Sequence, residues 1–304
     1  QDFLDNVPHK FWANNVRRVC PSPEVMARHV IAVYDRSTRR CSSAAVCAAL
    51  AVALASLLGG AGSQNAALAI GGKAPAYSTA TEEYNGTSWT AGGSMNTGRY
   101  AGSGLGATNT AAVVAVGNEP TLSAKTETYN GTAYTNSPNS LNTARESVGG
   151  SGISTAAFCA GGSASSGTLY EEWNGSSWTE KTEMNTGRIY VGASGTITDA
   201  VIWGGDTPPG TAQTATEAWD GTAWTEVSDL ATARKAFGTT NFGSTGKSAF
   251  SAGGTPPGVV TGTEEWSFPS SPILKEGMIF LSGGTTLKGF GKAGGIPTGS
   301  WASG

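Results

Sequence analysis

Five glutamates recur at one position of a 304-residue repeat-rich chain: Glu82, Glu127, Glu171, Glu217 and Glu264. Each stands two residues before an aromatic, in order Tyr84, Tyr129, Trp173, Trp219 and Trp266. An arginine follows 15 or 16 residues after four of those aromatics, at Arg99, Arg145, Arg188 and Arg234. Carboxylates in equivalent positions could line a catalytic or metal-binding ring. They equally suit a structural ion pair, one per repeat, that fixes how neighbouring units sit. Breaking such a buried pair is costly even where the pair adds little net stability. Most acids of the repeats are equivalent by position, which argues for architecture. The fifth repeat has no arginine at the matching place, so the pattern is imperfect at its seam.

Other chemistries lack their residues. The two histidines, His9 and His29, precede the repeats, so neither a Ser-His-Asp triad nor a histidine metal site can form inside them. The spacing of Cys20, Cys41, Cys47 and Cys159 matches no zinc pattern, and no disulfide framework is indicated. Cys159, in an apolar run, reads as a small buried hydrophobe. The stretch from Asn241 to Ser248 mimics a phosphate loop, but Asn241 stands where the first glycine is needed and an apolar strand follows. Asn85, Asn130 and Asn174 sit in formal glycosylation sequons, yet the fourth copy has Asp220, so the turn is what the copies share. A net charge of −3 gives no electrostatic reason to expect nucleic acid. No cofactor is expected. Carboxylate pairs for glycoside hydrolysis stay open.

The elements that position these groups follow from the repeat. The first aromatics are spaced by 45, 44, 46 and 47 residues, and a fixed period in this range means an array of small units. Asn-Gly or Asp-Gly between β-formers predicts a hairpin. A two-residue turn would set Tyr84 opposite Thr87 and Glu82 opposite Trp89, leaving the two rings diagonal on one face. Each ring removes ~150–250 Å² from water, roughly 4–6 kcal/mol as an upper limit. Upstream lie a glycine-rich strand and an apolar strand ending in a glycine pair; the second copy departs with Val116-Gly117. Four short strands per unit is the arithmetic of a propeller blade. Forty-four glycines fit many short strands joined by turns.

Four segments are expected: residues 1–42, an irregular, basic docking segment; 43–58, an apolar lead-in; 59–268, an all-β propeller of about five four-stranded blades; and 269–304, a C-terminal hairpin and connector. Run 43–58 reads either as an export or membrane segment or as a buried element leading into the first repeat. Register from later copies places the first inner strand near Ala53. In the tail, residues 277–290 read as a hairpin, and residues 299–304 as a strand that either completes the fifth unit or begins a further array.

The glycine pair, the two aromatics five residues apart and the following arginine resemble kelch-type repeats. The flavour of Glu-Glu-Trp-Asn-Gly followed by Asn-Thr-Ala-Arg145 is similar to repeats in tail-fibre and other virion proteins of tailed bacteriophages. That resemblance implies a non-enzymatic virion protein whose propeller attaches to a host-surface glycan or protein. Residues 1–42 would dock to other virion proteins, within an oligomeric assembly. The loops after the glycine pairs vary most and are the receptor-facing candidates. They open at Lys73, Glu119, Ser163, Asp206 and Thr255, the second closing at Lys125. The alternatives are a polysaccharide-degrading tailspike enzyme and a secreted carbohydrate-binding or scaffold protein.

Overall fold

The computed structural model describes residues 58–73, 76–164, 166–207, 210–237, 248–255 and 261–267. It also gives the backbone of strands Tyr34–Asp35, Arg40–Cys41, Gly238–Thr239, Ile279–Ser282, Thr286–Gly289 and Ser300–Ser303. The readings of residues 1–33, 43–57 and 241–247 lie outside the described residues.

All regular structure among the described residues is β, with five four-stranded antiparallel sheets, called blades 1 to 5. Blade 1 comprises Gly59–Ser63, Ala66–Ile70, Thr81–Tyr84 and Trp89–Ala91. Blade 2 comprises Ser103–Thr108, Ala111–Ala115, Thr126–Tyr129 and Tyr134–Asn136. Blade 3 comprises Gly149–Ile153, Ala156–Ala160, Tyr170–Trp173 and Trp178–Glu180. Blade 4 comprises Gly192–Thr196, Asp199–Trp203, Thr216–Trp219 and Trp224–Glu226. Blade 5 comprises Gly238–Thr239, Ser248–Ala252, Thr263–Ser267 and Ser300–Ser303. Its outer strand therefore comes from the end of the tail, with Trp301 in register with Trp266. Between them Ile279–Ser282 pairs with Thr286–Gly289 as a hairpin.

Two expectations are corrected. The first inner strand starts at Gly59, not near Ala53, and pairs Gly59 with Ile70. Inner strands come close where they face one another: a Cβ on Gly104 would stand 2.7 Å from the carbonyl oxygen of Gly60. The glycine-rich run 59–62 meets that demand, and the bulkier apolar run before it does not. The hairpin turn is also longer than two residues. Tyr84 pairs directly with Trp89, and Glu82 with Ala91. Asn85 closes the four-residue loop, its Oδ1 accepting from the amides of Thr87 and Ser88, both at 3.0 Å. A side-chain oxygen that mimics a backbone acceptor is a sufficient reason for Asn or Asp here. Asp220 does the same for Thr222 and Ala223 at 2.8 and 2.9 Å.

The direct pairing brings the rings together. Centroids of Tyr84–Trp89, Tyr129–Tyr134, Trp173–Trp178 and Trp219–Trp224 lie 5.1, 4.5, 5.4 and 5.2 Å apart, within the range of favourable aromatic pairs. These rings pack between blades. Trp173 and Trp178 of blade 3 meet Leu105, Val113 and Ala115 of blade 2. Trp219 and Trp224 of blade 4 meet Phe158, Ala160 and Tyr170 of blade 3. Trp266 of blade 5 meets Val201 and Trp203 of blade 4. The core is thus a series of interfaces between successive sheets. This is why the second strand of blades 2, 3 and 4 is buried continuously after its first residue rather than alternating.

A four-stranded meander sorts its connections. Turns joining strands one to two and three to four fall at one end; loops joining two to three, and linkers to the next blade, fall at the other. The first end carries the Asn-Gly or Asp-Gly turns, nearly the same in blades 1 to 4: Gly86, Gly131, Gly175 and Gly221 have φ of +92°, +89°, +94° and +96°. The second end carries the glycine pairs, the arginines and the variable loops.

Candidate functional site

At the variable end each arginine stitches two blades. Arg99, on the linker leaving blade 1, donates through Nη2 to Glu127 on blade 2. Arg145 pairs with Glu171 at 2.5 Å, Arg188 with Glu217 at 2.7 Å and Arg234 with Glu264 at 2.5 Å. Each glutamate thus belongs to the blade after the linker, not to the repeat in which its arginine is written. The carboxylates also accept backbone amides of the linker: Asn185 N–H at 2.7 Å and Thr186 N–H at 3.3 Å onto Glu217, Ala231 at 2.7 Å and Thr232 at 3.3 Å onto Glu264. The remaining guanidinium hydrogens go to carbonyls beside the glycine pair, as Arg234 Nη1 does to Gly253 and Gly262 at 3.0 and 2.9 Å. The arginine's own carbonyl returns to the blade before, accepting from Gly72, Gly117, Gly162 or Gly205 N–H at 2.8–3.0 Å. All four arginines and Glu127, Glu171, Glu217 and Glu264 are buried. Burial lowers the affinity of Arg188 for its proton, and Glu217 opposes that. The carboxylate oxygens of all four joints are taken up by protein donors; among the guanidinium nitrogens Arg145 Nε is buried without a hydrogen-bond partner. Glu82 differs: it is half-buried and its Oε2 is buried without a hydrogen-bond partner.

The loop residues singled out in the sequence lie on this end, and the loops of blades 2 to 5 are tied near their start to the linker before them. Asn118 bridges Tyr100, Asp206 bridges Ile189, and Thr255 bridges Lys235; Ser163 N–H donates to the Glu146 carbonyl at 3.0 Å. The side chains are partly spent on one another. Glu119 accepts from Lys125 at 2.7 Å and approaches Arg99 at 3.3 Å. Asp206 accepts from Lys235 at 2.6 Å. Lys73 stands over the rings of Tyr77 and Tyr100, 5.0 and 5.3 Å from their centroids, and those rings stack at 5.8 Å.

The residues just after each arginine are the part that sequence reasoning missed. They are Tyr100, Glu146, Ile189 and Lys235, four different side chains after an unchanging arginine. Variation at a fixed place in the motif was the available signal. The next residue has positive φ in every linker: Ala101 +52°, Ser147 +60°, Tyr190 +55° and Ala236 +50°. Non-glycine residues hold this conformation only where the surroundings impose it. Here hydrogen bonds run from blade to blade, Ser147 N–H to Ala101 O at 3.3 Å and Tyr190 N–H to Ser147 O at 2.8 Å. The result gathers Tyr77, Tyr100, Glu146 and Tyr190. Burial raises the Tyr100 hydroxyl above its ordinary value, and Glu146, Tyr77 and Tyr190 raise it further. Glu146 Oε2 and Asn118 Oδ1 are buried without hydrogen-bond partners. The aromatic patch suits the C–H faces of a hydroxyl-bearing ligand. Among the described residues no cluster of His, Cys, Asp and Glu could hold a metal ion, and no helix is long and apolar enough to cross a membrane.

No protein-family profile matches the sequence, and no curated protein does. Solved structures do match. That of YjhT superposes with a TM-score of 0.53 at 14% identity, over 65% of this chain and 72% of that one. At that identity the likeness is one of fold. The fold is of the propeller type.

Proposed function

We propose that the protein is a non-enzymatic virion component of a tailed bacteriophage, a tail fibre or similar appendage. Its kelch-like propeller displays the linker end for attachment to a host-surface glycan or protein. The observation that carries this reading is the contrast between the two ends of the blades. One end repeats the same turn four times; the other varies at every equivalent loop and after every arginine, on an identical set of backbone joints. Uniform support beneath variable side chains is what a recognition surface needs. The cluster of tyrosine rings and hydroxyls beside Glu146 favours a glycan over an apolar partner. Residues 1–42 are the candidate for docking to other virion proteins, in an oligomeric particle.

Mass spectrometry of purified particles tests the virion assignment. The attachment role is tested with the full chain on host cells and on immobilised surface glycans. Tyr100→Ala and Glu146→Gln should each weaken binding at least tenfold without changing the melting temperature, while Thr222→Ala on the uniform end should leave binding intact. Unchanged binding in both linker-end variants overturns the reading. Release of reducing ends from surface polysaccharide, lost in Asp206→Asn, would establish the tailspike alternative instead.

A further inference from the structure

The uniform end carries three Asn-Gly pairs, Asn85-Gly86, Asn130-Gly131 and Asn174-Gly175, and no other asparagine of the chain precedes a glycine. All three asparagines are exposed. Their side-chain carbonyls are held alike. Asn85 Oδ1 accepts from the amides of Thr87 and Ser88, both at 3.0 Å. Asn130 Oδ1 accepts from Thr132 and Ala133 at 3.0 and 2.9 Å, and Asn174 Oδ1 from Ser176 and Ser177 at 3.0 and 2.9 Å. Two amide donors on one carbonyl oxygen stabilise the negative charge that develops there when a nucleophile adds to the carbon. The nucleophile is the next residue. Among the described residues the N–H groups of Gly86, Gly131 and Gly175 donate to no protein acceptor, and glycine has no Cβ to shield its nitrogen. The linker asparagines Asn96, Asn142 and Asn185 differ on both counts. They precede threonine, and their side-chain nitrogens are held: by the Tyr134 carbonyl at 3.2 Å, by Glu171 at 2.9 Å and by the Trp224 carbonyl at 3.1 Å.

We infer that Asn85, Asn130 and Asn174 are sites of self-modification by deamidation. The glycine nitrogen, losing its proton to base, bonds to the asparagine Cγ. The Cγ–Nδ2 bond breaks, ammonia leaves, and a five-membered succinimide is closed. Water then adds to one of the two ring carbonyls and opens the ring as aspartate or as isoaspartate. The fourth copy of the loop shows that the aspartate product fits. Asp220 stands at the equivalent place, and its Oδ1 accepts from the amides of Thr222 and Ala223 at 2.8 and 2.9 Å. Losing the side-chain nitrogen removes no bond that the loop needs. Asn85 and Asn130 Nδ2 have no protein acceptor among the described residues. Asn174 Nδ2 donates to the Ser177 hydroxyl at 3.2 Å, which can turn and donate to a carboxylate instead. Each conversion adds one negative charge to an exposed loop, so three take the formal net charge from −3 to −6. The uniform end then becomes acidic in all four copies of the loop, while the variable end is untouched. The inference is independent of any role in attachment.

The test holds the full chain, folded, in mildly alkaline buffer and samples it over time by peptide mass spectrometry. Peptides containing Asn85, Asn130 and Asn174 should each gain about 1 Da, roughly tenfold or more faster than those containing Asn96, Asn142 and Asn185. The rate should rise with pH. Asp220→Asn should install a fourth site that converts at a like rate. Gly86→Ala should slow conversion at Asn85 and leave Asn130 and Asn174 unchanged; should that variant fail to fold, Asp220→Asn and the three parent sites carry the test. Asn85→Asp, Asn130→Asp and Asn174→Asp combined should keep the parent's melting temperature and move its isoelectric point to the acid side. Conversion at the three sites no faster than at the linker asparagines overturns the inference. So does conversion that begins only once urea has unfolded the chain, since the folded loops would then protect the amides. A clear fall in melting temperature of the combined variant overturns it as well, by showing that the loops reject the product.

Discussion

Arg188 donates across 2.7 Å to the carboxylate of Glu217, and both side chains are almost wholly buried. Arg188 lies on the linker leaving blade 3, its carbonyl held by Gly162 of that blade, and Glu217 lies on blade 4, so the pair resists relative movement of blades 3 and 4. Its net contribution is small, because desolvating two charges offsets most of their attraction. Removing one partner leaves the other buried without compensation. Arg188→Ala and Glu217→Ala should each cost about 3–5 kcal/mol, whereas the paired change Arg188→Met with Glu217→Leu should cost less than either. Urea unfolding of the three variants checks the order. A double variant worse than both singles would show that the pair acts through packing alone.

Asp220 carries a milder electrostatic prediction. Hydrogen bonds from the Thr222 hydroxyl, then from the amides of Ala223 and Thr222, hold its carboxyl below the ordinary 3.8, against a small opposing effect of desolvation. A depressed folded value means that the stabilisation is present above the unfolded value and is lost as pH falls through the folded one. The side chain is exposed, so the effect is confined to strongly acid solution and is modest. Carbon-detected titration should find Asp220 ionising below 3.8. Asp220→Asn should keep the turn and erase this pH dependence, as Asn85, Asn130 and Asn174 imply. Asp220→Ala should weaken the turn at every pH.

Much of this architecture is legible because its physical demands repeat. Glycine pairs are needed where backbone runs left-handed beside an arginine carbonyl, and paired aromatics where blades meet, so both recur at the observed period. The turn was less legible: Asn-Gly serves a two-residue turn and a four-residue loop alike. The Asn85 side chain, by capping Thr87 and Ser88, selects the longer one. The arginine–glutamate partnership crosses from one repeat to the next, a choice that linear spacing leaves open. The grouping of Tyr77, Tyr100, Glu146 and Tyr190 was hidden because it draws on several blades and exists only once their linkers converge.

Val116 is the departure from the glycine pair that the sequence marks and the backbone explains. It takes the place of the first glycine, yet holds φ at +58°. That conformation costs a non-glycine residue about 1–2 kcal/mol, more for a β-branched one. Val116 is fully buried against Leu105, Val113 and Trp173, so contacts offset the strain. Val116→Gly removes both terms and should cost less than about 1 kcal/mol, while Val113→Gly, with contacts but regular strand geometry, should cost about 2–4 kcal/mol. Denaturant midpoints of the two variants decide it; equal losses would mean that the strain is already relaxed.

Cys159 offers a direct reading of the interface between blades 2 and 3. It is fully buried beside Val113, Val116 and Trp173. Burial pushes its thiol up to about 12, with the Arg145 charge pulling the other way. Two conditions for reaction fail at neutral pH: the thiolate is scarce and the reagent has no path. Labelling with a maleimide, mapped by peptide mass spectrometry, should therefore leave Cys159 unmodified in the native protein. Modification should rise only through the urea transition seen by tryptophan fluorescence, because Trp173 and Trp178 share its cluster. Arg145→Ala unpairs Glu171 next to the thiol, so Cys159 should then become reactive at lower urea. Rapid modification of Cys159 in the unperturbed protein would mean that blades 2 and 3 part well before the chain unfolds.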